Sequence, residues 1–190
     1  MEVYLALKLA GHSPDSKPLQ KAREFILAKG GLPKVRVFTT IWLALFGQWD
    51  WKGTPNMPPE MIFLPAWAPC NIYDFASRAR ATVVPILIIL NRQPNCTVPE
   101  SACVNELYPT GRYGTDYTLA KPTSGFGWSK LLWWTDKFLG LYQRLPIHPL
   151  RGLAERKILS WILEHQEADG SWAGIQPPWV YSLIALHTMG

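Results

Sequence analysis

The sequence has little charge, few cysteines and no long hydrophobic run. Charged residues make up 17% of the 190 positions and hydrophobic residues 48%. That balance excludes a disordered or fibrous chain and is enough for a sizeable core. The basic residues are scattered. No Lys/Arg cluster is long enough to follow a phosphate backbone, which argues against nucleic acid, while the net charge of +5 suits an anionic lipid surface. Cys70, Cys96 and Cys103 form neither a metal spacing nor an even disulfide set, and read as reduced cytosolic thiols. The longest apolar run, residues 81–90, is interrupted by Pro85. It is about half of the ~20 residues a membrane span needs, so the chain is not expected to cross a bilayer. No secretory leader follows Met1. Residues 2–11 read as the middle or end of an amphipathic helix without an N-cap, so Met1 is not expected to be a natural start. Acidic groups are also sparse: Asp15, Asp50, Asp74, Asp116, Asp136 and Asp169 are each isolated from other aspartates. His12, His148, His165 and His187 are scattered, and no Ser-His-Asp, metal-ligand or phosphate-loop pattern occurs.

Tryptophan and proline are abundant. Ten Trp point to a cavity wall, a repeated structural motif or a membrane interface, because an indole offers a large apolar area, a π face and one donor. Seventeen Pro imply many short turns. Helical periodicity dominates. Helices are expected over residues 17–29, closed by Gly30-Gly31, over 35–46, over 72–90 with a kink near Pro85, over 127–145 and over 150–166. A last one follows Pro177-Pro178. Residues 49–68 and 93–125 read as irregular, and only 61–64 resembles a strand. Val3-Tyr4 with its apolar sequel echoes Val180-Tyr181. Residues 21–26 likewise echo 157–162, a weak sign of an αα repeat or closed α/α barrel.

The second of those echoes extends into a motif. Lys157, Trp161, Ile162, Gln166, Gly170 and Trp172 give a basic residue, an aromatic, an aliphatic, a Gln, and then Gly-x-Trp. This resembles the QW repeat of the terpene cyclases, with Ile158 where Gly is usual and Ile162 where Leu is usual. A Gln near a helix end can bond backbone groups that the helix leaves unpaired, and an indole can shield that bond from water. The expected role of Lys157, Trp161, Gln166, Gly170 and Trp172 is therefore structural. An earlier copy is degenerate, with Gly30 at the Gln position after Phe25. Residues 46–51, 58–60, 71–82, 147–149 and 174–179 are similar, in the same order, to segments of squalene–hopene cyclases. Arg78 departs from the aromatic usual at its place.

The resemblance covers essentially the whole chain and implies an all-α fold, an incomplete α/α barrel. Residues 1–172 would belong to the smaller, acid-free barrel domain and 173–190 would open the catalytic one. It implies cation-cascade cyclisation of squalene to pentacyclic hopanoids, with no cofactor. Such chemistry needs a strong acid, aromatic faces for the cations and exclusion of water. The family's Asp-x-Asp-Asp acid motif is absent here. In the family it lies downstream of the segment matched by Trp179, so the chain reads as an internal fragment with no catalytic residue of its own, and the isolated fragment is expected to be inactive. By the resemblance Trp49 and Trp179, with Trp128 and Ala173, line the substrate cavity, and Phe46 and Thr54 line the entrance channel. Residues 127–145 carry apolar side chains on more than one face. Leu131, Leu132, Trp133, Trp134 and Phe138 are expected to contact lipid, as in a monotopic protein on the cytoplasmic side of a membrane. A homodimer is compatible with that reading. An oxidosqualene cyclase is a close variant. The alternative of another class is a non-catalytic αα-repeat module that binds lipid or protein.

Overall fold

The computed structural model describes residues 1–68, 71–118 and 127–190, without the side chains of residues 128, 129, 131 and 132. Seven α-helices carry them: α1 (Glu2–Leu9), α2 (Lys17–Ala28), α3 (Val37–Leu45), α4 (Ser77–Arg92), α5 (Trp128–Gln143), α6 (Arg151–Glu164) and α7 (Gln176–Met189). Short 3₁₀ turns lie between them, and no strand occurs among the described residues. The chain divides into two units, each made of two stretches: residues 1–55 with 95–120, and residues 56–94 with 121–190.

In the first unit, α1, α2 and α3 close on the loop 95–118. Tyr4, Leu5, Leu19, Leu32, Leu43, Trp49, Val104 and Leu107 form its core. The α2 helix starts with Pro18 in its first turn and stops at Gly30 and Gly31, whose φ values are 96° and 69°. Their amides donate to the Leu27 and Ile26 carbonyls, which the helix leaves open. Lys8 is buried because the loop brings it a partner: its ammonium lies 2.7 Å from Glu106 and also donates to the Cys103 carbonyl. Tyr4 donates to the same carboxylate at 2.7 Å. Burial pushes Glu106 up, but the bonds from Lys8 and Tyr4 outweigh it and leave the carboxyl below its ordinary range.

In the second unit, α4 packs against α7 and α6, and α6 also packs on the 3₁₀ turn Pro59–Phe63. Val84, Leu87, Ile88 and Ile89 are wholly buried. A helix wrapped on most sides needs no polar face, which accounts for the apolar run 81–90. Two expectations are corrected here. Residues 61–64 are not a strand. Pro58 is extended and Pro59 opens a 3₁₀ turn, with Met61 and Leu64 donating to the Pro58 and Met61 carbonyls. The helix expected from residue 72 begins at Ser77. The side-chain oxygen of Asn71 accepts the Tyr73 and Asp74 amides at 2.7 and 3.1 Å, which holds residues 72–74 in a separate 3₁₀ turn. Arg80 then donates to the Ile72, Tyr73 and Phe75 carbonyls, tying that turn to α4. The helix runs on through Pro85 to Gln93, whose left-handed φ of 49° ends it.

Candidate functional site

The first unit holds an open pocket of about 460 Å³ beside the end of α3. Its making starts at Gly47, which turns the chain out of α3 with a φ of 65°. Gln48 follows and is buried. Its amide oxygen accepts the Val104 N–H at 2.9 Å and its amide nitrogen donates to the Phe46 carbonyl at 3.3 Å. With this stretch of chain so fixed, Trp49, 5% exposed, lines the pocket. Tyr108 stacks on that ring at 6.0 Å and Tyr117 meets it edge-on at 4.7 Å. The Tyr108 hydroxyl donates to the Gln48 carbonyl. Burial, and then the neighbouring Tyr117 hydroxyl, push this phenol above its ordinary range, so it keeps its proton and remains a donor. Trp51, Arg112, Asn95 and Asp50 complete the wall. Arg112 donates to the Gly47 carbonyl at 2.6 Å.

In the second unit, the segment 157–172 closes the end of α6. The Trp172 indole is 2% exposed and donates to the Ile162 carbonyl at 2.7 Å. That carbonyl lies in the last turn of α6, where the helix supplies no donor. Gln166 is exposed and donates to the Gly170 carbonyl at 3.1 Å, across the turn that follows. So it is the indole that satisfies the helix, and the amide that braces the turn. The Trp161 ring stacks on His165 at 3.9 Å, and the Lys157 ammonium lies 5.1 Å from the centre of the Phe63 ring. A second open depression of about 370 Å³ lies here, with Arg78, Trp161, His165 and Ala173 in its wall.

The α5 helix shows where its apolar surplus goes. Asp136 accepts the Asn56 amide at 2.8 Å and its side chain at 3.2 Å, and Gly140 lies against the same Asn56. These two positions, one helical turn apart, mark the inner face. On the opposite side Trp134 is 66% exposed, Phe138 69% and Leu141 63%. Lys137 lies over the half-buried Trp133 ring.

The family model of the squalene–hopene cyclase N-terminal domain matches residues 1–190. The chain belongs to the squalene–hopene cyclase family. It is 48% identical, over 98% of its length, to the squalene–hopene cyclase of Alicyclobacillus acidocaldarius, of which it covers 29%. It is 40% identical to the squalene hopane cyclase of Aspergillus fumigatus, with 97% of the chain and 26% of that protein covered. It is 37% identical to the dammaradiene synthase of Dryopteris crassirhizoma, with 100% of the chain and 27% of that protein covered. The chain thus spans less than a third of the length of these curated relatives. Membership places its fold in the α/α-barrel class of the terpene cyclases.

The positions expected from sequence are divided between the two units. Trp49 lines the pocket of the first unit, and Phe46, half-buried, stacks on Trp42 at 6.1 Å. Thr54 is buried and its hydroxyl donates to the Trp51 carbonyl at 2.6 Å, closing a 3₁₀ turn. Ala173 lines the depression beside α6, and Trp179, on α7, is 48% exposed. The side chains of Trp128, Leu131 and Leu132 lie outside the described residues. Trp51, Arg112, Tyr108 and Tyr117 were not anticipated. The signal for the last three was the length of the loop 93–125, since long loops in compact domains are often functional. Ala173 has a φ of 57°, a left-handed conformation that Cβ disfavours. Ala173→Gly should therefore raise stability by about 1 kcal/mol, read as a higher denaturation midpoint at unchanged slope.

Proposed function

We propose that this chain is part of a triterpene cyclase that converts squalene to pentacyclic hopanoids by a cation cascade. On this reading its residues wall the substrate cavity, and the proton-donating acid lies in a part of the enzyme beyond them. The observation that carries the reading is the 48% identity to a squalene–hopene cyclase across 98% of the chain. The aromatic cluster of Trp49, Tyr108 and Tyr117 supports it, because ring faces stabilise a passing carbocation. The chain covers 29% of that cyclase, which leaves room for the acid in the remainder. Residues 173–190 would open the catalytic domain, with Trp179 turned towards the substrate. Phe46 and Thr54 would flank the channel by which it arrives. The test is a chimera: the Alicyclobacillus acidocaldarius cyclase with its matching segment replaced by this chain, incubated with squalene. Hopene is the expected product, and a folded chimera without cyclised product sinks the reading.

The same reading makes α5 the lipid contact. No helix among the described residues is long and apolar enough to cross a membrane. The stripe of Trp134, Phe138 and Leu141 instead suits a helix lying in the interface. Leu145 and Ile147, 51% and 74% exposed, continue it beyond the helix end. The net charge of +5 favours the anionic cytoplasmic leaflet. In the chimera, Trp134→Glu and Phe138→Glu should each weaken binding to phosphatidylglycerol vesicles about tenfold or more, as expected for losing a buried aromatic. Unchanged co-sedimentation of the double variant would instead assign this face to packing within the enzyme.

A further inference from the structure

The net charge of the chain sits in one place. Residues 17–36 hold six of the 19 basic residues, Lys17, Lys21, Arg23, Lys29, Lys34 and Arg36, and one of the 14 acidic ones, Glu24. That stretch alone carries +5, and the remainder holds 13 residues of each sign. No two of the six are adjacent, so the sequence shows no run, and it is the fold of the first unit that gathers them. Leu19 is buried, and Ala22 and Ile26 pack on the core, which fixes the inner face of α2. Lys17, Lys21, Phe25 and Lys29, each four residues from the last, wind along its outer side. The Lys34 stem lies against Gly30 at the helix end, where a Cβ would stand 2.7 Å from the Lys34 Cγ. All six cations are exposed. The ion pairs of the described residues, Lys8–Glu106, Arg92–Glu155 and Arg151–Glu60, use none of them.

Helix stability does not account for this arrangement. A cation is favourable in the last turn of a helix and unfavourable in the first. Lys29 and Lys34 obey that rule. Lys17 opens α2 and Lys21 follows one turn later, and the first turn holds no acidic residue to offset them. Between the lysines stands Phe25, 64% exposed, with the Lys29 ammonium 5.7 Å from its ring centre. Val37 and Phe38, 44% and 51% exposed, follow Arg36.

We propose that the outer side of α2 is a docking surface for an anionic membrane, with Lys17, Lys21 and Lys29 on lipid phosphates and Phe25 sunk among the headgroups. This goes beyond the lipid contact assigned to α5, which holds by apolar burial, whereas α2 holds by charge. It needs no substrate and so stands apart from the cyclase chemistry. Lysine and glutamate are depleted in protein–protein interfaces. A cationic helix that carries an exposed aromatic matches a lipid interface instead. Each lysine close to such a surface strengthens binding about fivefold, and salt screens that gain.

The experiment uses the chimeric Alicyclobacillus acidocaldarius cyclase in the Trp134→Glu, Phe138→Glu background, which weakens α5. Its co-sedimentation is measured with phosphatidylcholine vesicles, with and without phosphatidylglycerol, at low and high salt. Lys17→Gln, Lys21→Gln and Lys29→Gln together should weaken binding to the phosphatidylglycerol vesicles about a hundredfold at low salt. At high salt, or on phosphatidylcholine alone, the three changes should make less than about a twofold difference. The same three positions changed to Arg should bind as the parent does. Phe25→Ser should weaken binding about tenfold. Circular dichroism confirms that each variant is folded. Unchanged low-salt binding of the triple Gln variant overturns the proposal, as does a loss of equal size at low and high salt. A parent that ignores the vesicles but is retained on immobilised polyglutamate assigns the surface to an acidic protein and overturns it too. None of these readouts involves squalene, so a folded chimera that makes no hopene sinks the cyclase reading and leaves this proposal standing.

Discussion

Replacing Glu106 by alanine is expected to destabilise the first unit by about 3 kcal/mol, with denaturation followed by circular dichroism. The Lys8 side chain is only 5% exposed, so removal of its partner leaves an ammonium with little water. The Cys103 carbonyl would be its remaining acceptor of the two. Tyr4, which donates to the same carboxylate, would lose its acceptor as well. The figure sits at the lower end for a broken buried pair because Glu106 itself is 21% exposed. Lys8→Met should cost less, since it removes the charge together with the need for a partner. The pair also predicts a pH dependence. Glu106 is held below its ordinary range in the folded state. Its contribution is therefore complete above the unfolded carboxyl pKa, and is lost as pH falls through the lower folded value. Wild type should lose stability on acidification more steeply than the Lys8→Met variant.

Trp172→Ala is expected to cost about 3–5 kcal/mol, the largest effect of any single substitution in the second unit. Two losses combine. The ring is 2% exposed, so truncation leaves a cavity, and the Ile162 carbonyl loses the donor that lies 2.7 Å away. Trp172→Phe separates them. It keeps most of the apolar volume and removes the hydrogen bond, and should cost about 1–2 kcal/mol. Gln166→Ala should cost much less than either, because that amide is exposed. Urea denaturation of the three variants ranks them. A Gln166 variant as damaging as Trp172→Ala would mean that the amide, and not the indole, holds the end of α6.

That ranking shows what sequence can and cannot give. The motif 157–172 was legible as a structural clamp, since its spacing sets a helix end against a turn. Which of its two donors reaches the helix was not, because it depends on how the turn after Glu167 folds back. Helix positions were legible where apolar periodicity met a glycine stop, as at Gly30-Gly31, or a proline start, as at Pro177-Pro178, although α7 begins just before those prolines, at Gln176. The start of α4 was missed because Asn71 bonds the backbone locally, and such a bond has no periodic signature. Trp49 was singled out by resemblance. Its companions Tyr108 and Tyr117 lie 59 and 68 positions further on, in an irregular loop, so no pattern in the sequence pairs them with it. The exposed apolar stripe of α5 was read in outline. Its direction needed the Asn56–Asp136 bond to show which side of α5 faces inward.

The Lys8–Glu106 bond joins residues 98 positions apart. A ribosome adds about 5–20 residues per second, so α1 emerges about 5–20 s before its partner exists. Through that interval Tyr4, Leu5 and Lys8 are without the loop that covers them, and the first unit cannot finish until the whole of the second unit's first stretch, residues 56–94, has been made. The nascent chain carries α1 with its apolar side uncovered for that time, a segment a chaperone would have to shield.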